Sequence, residues 1–188
     1  MIGQIYKQLS SFNEAFVHLY DGLPEAEFVA TRNLPTANAR VAEAIMSAVA
    51  RRSLRVARPV YRFRVFFDPS DRVSAEMMLD IAGEILNGLG AGDLQAVVAG
   101  WTNASPRFLY VIVNRVHPET CTAWSPWWDM YQTMEILRRL EGVHGLRSHP
   151  RDRGRARGGE RSPGGFRGPP DLLVRRGRPR TRHEAAGS

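Results

Sequence analysis

The chain has 188 residues, 43% of them hydrophobic, and a formal net charge of +7, which suits one domain with a single hydrophobic core and an appendage. No apolar run approaches the ~20 residues that a membrane span requires. The only cysteine, Cys121, excludes an internal disulfide framework and has no partners at zinc-ligand spacing. We therefore expect a cytoplasmic protein that does not enter a membrane.

The first part of the sequence predicts two helices and a short strand. Ser11 and Glu14 have the spacing of a capping box, and the apolar residues behind them predict a helix over about 11–21. The segment EFVAT at 27–31 is a strand candidate. Residues 35–52 predict a second amphipathic helix. Its expected buried face consists of Val41, Ala42, Ile45 and Val49.

The segment PVYRFRVFF at 59–67 alternates between apolar and charged residues. Because successive side chains of a strand point to opposite faces, Arg62 and Arg64 share one face of the predicted strand. The opposite face carries Tyr61, Phe63, Val65 and Phe67. The pattern predicts a half-exposed strand whose polar face is cationic.

Four further elements complete the predicted fold. Ser74 begins a helix that ends near residue 88, and residues 94–101 and 107–116 predict two strands of a hairpin. A last helix is expected from about 126 to 142. This order predicts an α+β fold with a central antiparallel or mixed sheet flanked by helices.

Beyond Leu146 the apolar periodicity stops, which divides the chain into a domain over 1–146 and a tail over 147–188. The tail contains 12 arginines and four acidic residues, and a segment so poor in apolar residues is expected to be disordered. Three interpretations of the tail stay open. It is a basic arm for nucleic acids, a solvated linker, or the out-of-frame translation of GC-rich DNA.

Several segments together resemble the relaxase/mobilization nuclease family, the DNA-nicking proteins that start conjugative transfer of plasmids. They are NLP at 33–35, RVARPVYRFRVFF at 55–67, the helix from Ser74, and NRVHPET at 114–120 followed by WWDMYQTMEILRRLE. The resemblance covers roughly residues 10–146. It implies a fold of the histidine-hydrophobe-histidine endonuclease type.

The resemblance also implies a chemistry. In the family, a tyrosine on an early helix attacks single-stranded DNA at a transfer origin and becomes joined to the new 5′ end. A divalent metal, Mg²⁺ or Mn²⁺, held by three histidines polarises the scissile phosphate. The implied partners are single-stranded or plasmid DNA, with accessory mobilization proteins as further candidates.

The sequence departs from the family at the metal ligands. The paired histidines of the family fall on Phe108 and Tyr110, the upstream histidine on Trp101, and a further histidine of the preceding strand on Arg62. Aromatic rings and guanidinium groups do not coordinate hard divalent cations, so we expect no bound metal or other cofactor. The family tyrosine aligns with His18, which leaves Tyr20 as the nearest candidate nucleophile.

These departures give one main expectation and three alternatives. We expect a relaxase-like protein whose nicking activity is weak or lost and whose DNA-binding residues are Arg62, Arg64, Asn114 and Arg115. One alternative is a working transesterase that uses Tyr20 and holds a metal in another way. The others are a non-catalytic accessory DNA-binding module and the remnant of a disrupted relaxase gene.

Overall fold

The computed structural model describes residues 1–20, 25–126 and 129–148, which form five strands and four helices. No helix in these ranges is both long and apolar enough to cross a membrane. In chain order the elements are β1 (Ile2–Ile5), α1 (Phe12–Tyr20), β2 (Phe28–Arg32), α2 (Ala39–Ala50), β3 (Val60–Phe66), α3 (Ala75–Gly88), β4 (Ala96–Trp101), β5 (Phe108–Asn114) and α4 (Asp129–Val143).

The strands form one sheet in the order β1-β3-β5-β4-β2, and every neighbouring pair is antiparallel. This confirms the predicted α+β class and shows that the sheet is antiparallel, not mixed. The hairpin of β4 and β5 is confirmed, and β5 lies at the centre of the sheet. The sequence prediction missed β1, a four-residue edge strand that pairs with β3.

Each face of the sheet is covered by helices and has its own core. Helices α3 and α4 pack on the face that carries Phe63 and Val65 of β3. Helices α1 and α2 pack on the opposite face, against Trp101 of β4 and Tyr110 of β5. Because β4 and β5 are buried along their whole length, both core layers depend on these two strands.

Helices α1 and α3 follow the predicted boundaries closely, whereas α2 begins four residues later than predicted and its buried face was predicted wrongly. The Ser74 hydroxyl caps α3 by accepting a hydrogen bond from the Met77 backbone N–H at 3.2 Å, as expected. In α2 the buried residues are Ala42, Met46 and Ala50, whereas Val41 is 47% exposed. The buried residues are four positions apart and therefore lie in a narrow row along one side of α2. Two of the three are alanines, whose small side chains let the helix pack close to the sheet.

The C-terminal boundary of the domain remains a prediction. The Arg147 backbone N–H donates to both carboxylate oxygens of Asp71 at 3.2 Å, so the chain still contacts the domain at this residue. The remainder of the predicted tail, from residue 149 onward, lies outside the described residues, as do residues 21–24 and 127–128.

Gly100 gives a test of the packing between β2 and β4. It pairs with Phe28 across the two strands, and a Cβ at this position would lie 2.0 Å from the Phe28 ring and 3.0 Å from the Met78 sulfur. We expect Gly100→Ala to lower the free energy of unfolding in urea by about 1–3 kcal/mol, because the stiff ring must move.

Gly142→Ala is the matched control, because a Cβ at this position of α4 meets nothing within 4 Å. It should raise the free energy of unfolding by about 0.5 kcal/mol, since alanine loses less conformational entropy in a helix. Equal effects of the two substitutions would contradict the described packing.

Candidate functional site

The register of the sheet brings the predicted site residues of three strands to one face. Arg64 lies opposite Tyr110 and Arg62 opposite Ile112 in the β3–β5 pair. Trp101 lies opposite Phe108 in the β4–β5 pair. Because residues directly opposite each other point to the same side of a sheet, all of these side chains share the face covered by α1 and α2.

The three aromatic residues that the sequence resemblance aligns with the family's metal ligands, Trp101, Phe108 and Tyr110, lie in the core of this face. The rings of Trp101 and Phe108 stack with their centroids 4.5 Å apart and an interplanar angle of 13°. Phe66 of β3 extends the row, with its ring 5.6 Å from that of Phe108. Trp101 and Tyr110 are each only 1% exposed. The rings therefore fill the space between the sheet and the helices.

Two arginine side chains lie against these rings. The Arg64 Cζ atom is 5.1 Å from the Tyr110 ring centroid, 5.4 Å from that of Phe108 and 5.5 Å from that of Tyr6. The Arg62 Cζ atom is 5.2 Å from the Tyr6 centroid. These distances are typical of cation–π contacts. The Nε atoms of both arginines are buried and have no hydrogen-bond partner among the described residues.

Tyr6 belongs to this group although the sequence analysis did not identify it. Its backbone N–H donates to the Arg62 carbonyl at 3.1 Å, which continues the pairing of β1 with β3. Its hydroxyl donates to the Gln4 side-chain oxygen at 3.0 Å. The segment IGQIY at 2–6 is too short and has too weak an apolar pattern to predict a strand alone.

We call the group formed by these rings and guanidinium groups the arginine–aromatic cluster. It is closed toward α1 and α2 and half-open toward β1, where Gln4 is exposed and Tyr6 and both arginines are partly exposed. The members of the cluster are Tyr6, Arg62, Arg64, Phe66, Phe108 and Tyr110. A positively charged, ring-lined surface of this kind suits an anionic ligand with flat groups.

The Tyr110 hydroxyl has the properties of a neutral hydrogen-bonding group. Burial raises the pKa of Tyr110, and the neighbouring Arg62 and Arg64 guanidinium groups only partly oppose this effect. The phenol is therefore protonated at neutral pH. Its oxygen makes no hydrogen bond of normal geometry within the described part of the chain.

Tyr20, the candidate nucleophile, lies at the end of α1. Its ring packs against Phe16 at 6.1 Å, and the Arg40 Cζ atom lies 4.7 Å from its centroid. Burial raises the pKa of Tyr20, Glu43 adds to the increase and Arg40 opposes it. In the described ranges Tyr20 makes no ring or cation–π contact with the arginine–aromatic cluster.

Asn114 and Arg115, the other two predicted DNA contacts, form hydrogen bonds inside the protein. Asn114 is 0% exposed, and its amide donates to the Met46 carbonyl and the Gln95 side chain at 3.1 Å. Arg115 donates to the Trp124 carbonyl at 3.1 Å and to Gln8 at 2.7 Å. These bonds give both residues a structural role, and their role in DNA binding stays a prediction.

The residues at the family's metal position do not fit a divalent metal. The three aligned positions carry aromatic side chains, and the only oxygen among them is that of the protonated Tyr110 hydroxyl. The positively charged Arg64 guanidinium group lies over the Phe108 and Tyr110 rings. Mg²⁺ and Mn²⁺ prefer carboxylate, carbonyl, imidazole and water ligands. Elsewhere in the described residues there is no group of three or more His, Cys, Asp or Glu side chains that could hold a metal ion.

A protein-family model described as relaxase, MobA/VirD2-like, nuclease domain, matches residues 21–146. The match covers about two thirds of the 188 residues, including the strands that carry Arg62, Trp101, Phe108 and Tyr110. No curated protein and no solved structure matches the chain at a significant level.

The composition of the site predicts how it responds to metal. We expect calorimetry to detect no Mn²⁺ binding by the unmodified protein, since a positive charge about 5 Å from a cation costs about 3 kcal/mol per unit of charge at an effective dielectric constant of ~20. Changing Trp101, Phe108 and Tyr110 to histidine together with Arg64→Gln should create a site that binds Mn²⁺.

The triple-histidine variant that keeps Arg64 is the matched control, and it should bind Mn²⁺ at least about tenfold more weakly. Circular dichroism establishes that each variant is folded. Mn²⁺ binding by the unmodified protein at this site, or no binding by the folded variant with all four changes, would contradict the assignment of these positions.

Proposed function

The chain belongs to the relaxase family described as MobA/VirD2-like, nuclease domain, and we propose that it binds single-stranded DNA at the arginine–aromatic cluster without metal-dependent nicking. The family role behind this proposal is the nicking of DNA at a transfer origin during plasmid conjugation. Plasmid DNA as the target, accessory mobilization proteins as partners and a cytoplasmic location are parts of the same proposal.

The proposed fold is the histidine-hydrophobe-histidine endonuclease type. An antiparallel sheet with the hairpin strands β4 and β5 near its centre supports it. So does the contact between the three positions that align with the metal ligands, with Trp101 stacked on Phe108 and Tyr110 on the same strand face. In a working member of the family, three imidazoles at these positions would surround one ion.

The observation that carries the DNA-binding proposal is the pair of arginines held among rings. Guanidinium groups bind phosphate oxygens through several parallel hydrogen bonds, and aromatic rings stack on bases of any sequence. The Nε donors of Arg62 and Arg64 have no partner in the described structure, and both side chains are partly exposed. Tyr6 and Phe66, both partly exposed, supply ring faces beside these donors.

Three observations support the loss or weakening of nicking. The ligand positions do not suit a metal, so no Lewis acid is supplied there to offset charge on the scissile phosphate. A tyrosine nucleophile must lose its proton, and the raised pKa of Tyr20 opposes this at neutral pH. The contacts of Tyr20 with Phe16 and Arg40 also lie outside the cluster that would hold the phosphate.

A transesterase that uses Tyr20 is the second candidate function. The Arg40 guanidinium over the Tyr20 ring favours it, because a positive charge lowers the pKa of a phenol. An arginine can also stabilise negative charge on a phosphate in the transition state. In this alternative Arg62 and Arg64 would take over the electrostatic part of the metal's role.

The cluster predicts metal-independent, salt-sensitive binding of single-stranded DNA. In fluorescence anisotropy we expect the double variant Arg62→Gln/Arg64→Gln to bind a labelled single-stranded oligonucleotide at least about tenfold more weakly. The slope of log K against log salt should fall by about 1.4, that is about 0.7 for each lost phosphate contact. The affinity of the unmodified protein should be the same with EDTA as with Mn²⁺.

Arg139→Gln is the control for the loss of charge. Arg139 lies exposed on α4, where its ion pair with Glu84 spans 3.8 Å, and α4 packs on the other face of the sheet. Its substitution should change the affinity by less than about twofold. Unchanged binding by the double variant, or binding that disappears in EDTA, would reject the proposal.

The two candidate functions differ in whether a covalent adduct forms. We expect no adduct between the protein and a labelled oligonucleotide in a denaturing gel, with Mn²⁺ or Mg²⁺, at neutral pH. The assay is repeated near pH 9, because a phenol with a raised pKa gains reactivity only as the pH increases. An adduct that forms with the unmodified protein and is lost in Tyr20→Phe would establish the transesterase instead.

A further inference from the structure

A pocket of about 370 Å³ opens next to the arginine–aromatic cluster, where β3 ends and the loop after it begins. Its walls are mostly apolar, with one carboxylate and one guanidinium-bearing residue at the rim. The lining includes Ile2, Phe66, Asp68, Pro69, Pro106 and Arg147.

Phe66 connects this pocket with the cluster. Its ring lies 5.6 Å from Phe108 in the cluster and also forms one wall of the pocket. Arg64 precedes it by two residues on the same strand face, so the two side chains begin about 7 Å apart. If a DNA strand places one phosphate on Arg64, a neighbouring group of that strand can therefore reach the pocket.

We infer that this pocket receives one nucleobase of a DNA strand bound at the cluster and that it favours bases with an amino group. The inference rests on the proposed function, because it needs the strand to lie on Arg62 and Arg64. The volume would hold about a dozen water molecules, which is more than a single base needs. The ring of Phe66 and the two prolines offer flat apolar surfaces for it.

Asp68 supplies the preference for an amino group. One oxygen of its carboxylate accepts hydrogen bonds from the Ser70 backbone N–H at 2.9 Å and the Ser70 hydroxyl at 2.5 Å. These bonds lower the pKa of Asp68 and keep the group ionised. The second carboxylate oxygen accepts no hydrogen bond from the described residues, so it is available to a ligand.

An ionised carboxylate accepts hydrogen bonds and cannot donate one, so it favours bases that present a hydrogen-bond donor. The amino groups of cytosine and adenine are donors, and carboxylates accept from the amino group of cytosine in known complexes. Thymine presents carbonyl oxygens on both sides of its only ring N–H, and these oxygens repel a carboxylate.

Homopolymeric oligonucleotides test the inference, with cytidine and thymidine oligomers of equal length as the main pair, since both are pyrimidines. In anisotropy at one salt concentration, we expect the cytidine oligomer to bind about tenfold more tightly than the thymidine oligomer. Asp68→Asn should reduce this difference to about twofold or less, because an amide can both donate and accept.

Asp93→Asn is the matched control, as an exposed aspartate just before β4, at the opposite end of the sheet from Asp68. It should keep the preference of the unmodified protein. Phe66→Leu, which removes the ring but keeps an apolar side chain, should weaken binding of both oligomers alike. Thermal unfolding establishes that the three variants are folded.

The outcomes separate the two proposals. If the unmodified protein binds neither oligomer, the proposed function fails, and this inference with it. If it binds both with equal affinity, or if Asp68→Asn keeps the full preference for cytidine, the DNA-binding proposal stands and the base pocket is wrong. If Asp93→Asn reduces the preference for cytidine as much as Asp68→Asn does, the assignment of the preference to Asp68 is also wrong.

Discussion

The pairing of β5 with both of its neighbours is the constraint on which the site depends. A strand shows alternate side chains to its two faces, so a shift of one residue would move every site residue to the other side of the sheet. Here β5 is fixed between β3 and β4 by continuous antiparallel ladders. The buried amide of Asn114 reinforces this register by bonding to Met46 of α2 and to Gln95 just before β4. With this register, Arg64, Tyr110 and Phe108 can only meet on one face.

The proposed replacement of three metal-binding imidazoles by Trp101, Phe108 and Tyr110 would change the chemistry of this face while keeping the sign of its charge. A divalent ion in the family is a Lewis acid that must be held by several ligands. Arg64 is a permanent cation that belongs to the chain and is held by the Tyr6, Phe108 and Tyr110 rings. It can bind phosphate oxygens with directed hydrogen bonds, but it does not coordinate an oxygen as a metal does. Affinity for phosphate can therefore persist where metal catalysis is lost.

Sequence patterns predicted the parts of the fold that have strong periodicity. The alternation of Arg62 and Arg64 with apolar residues and the hairpin of β4 and β5 were both confirmed. The buried face of α2 was wrong at Val41, because several apolar residues line that helix and only tertiary packing selects Ala42, Met46 and Ala50. Tyr6 was missed because β1 is short and gains its stability from pairing with β3. The buried bonds of Asn114 and Arg115 connect residues far apart in the sequence, which no local pattern reveals.

The unpaired donors in the cluster separate a binding surface from a simple repacked core. When ligands of a metal site are replaced only to fill space, apolar residues suffice, and buried polar groups are then expected to be paired. The Nε atoms of Arg62 and Arg64 are instead buried without partners in the described structure. An unpaired buried donor costs about 1–3 kcal/mol, and one ligand with several acceptor oxygens can offset this cost for both arginines. A phosphate group has such oxygens, and it can approach the partly exposed Arg62 and Arg64 side chains from the half-open side toward β1.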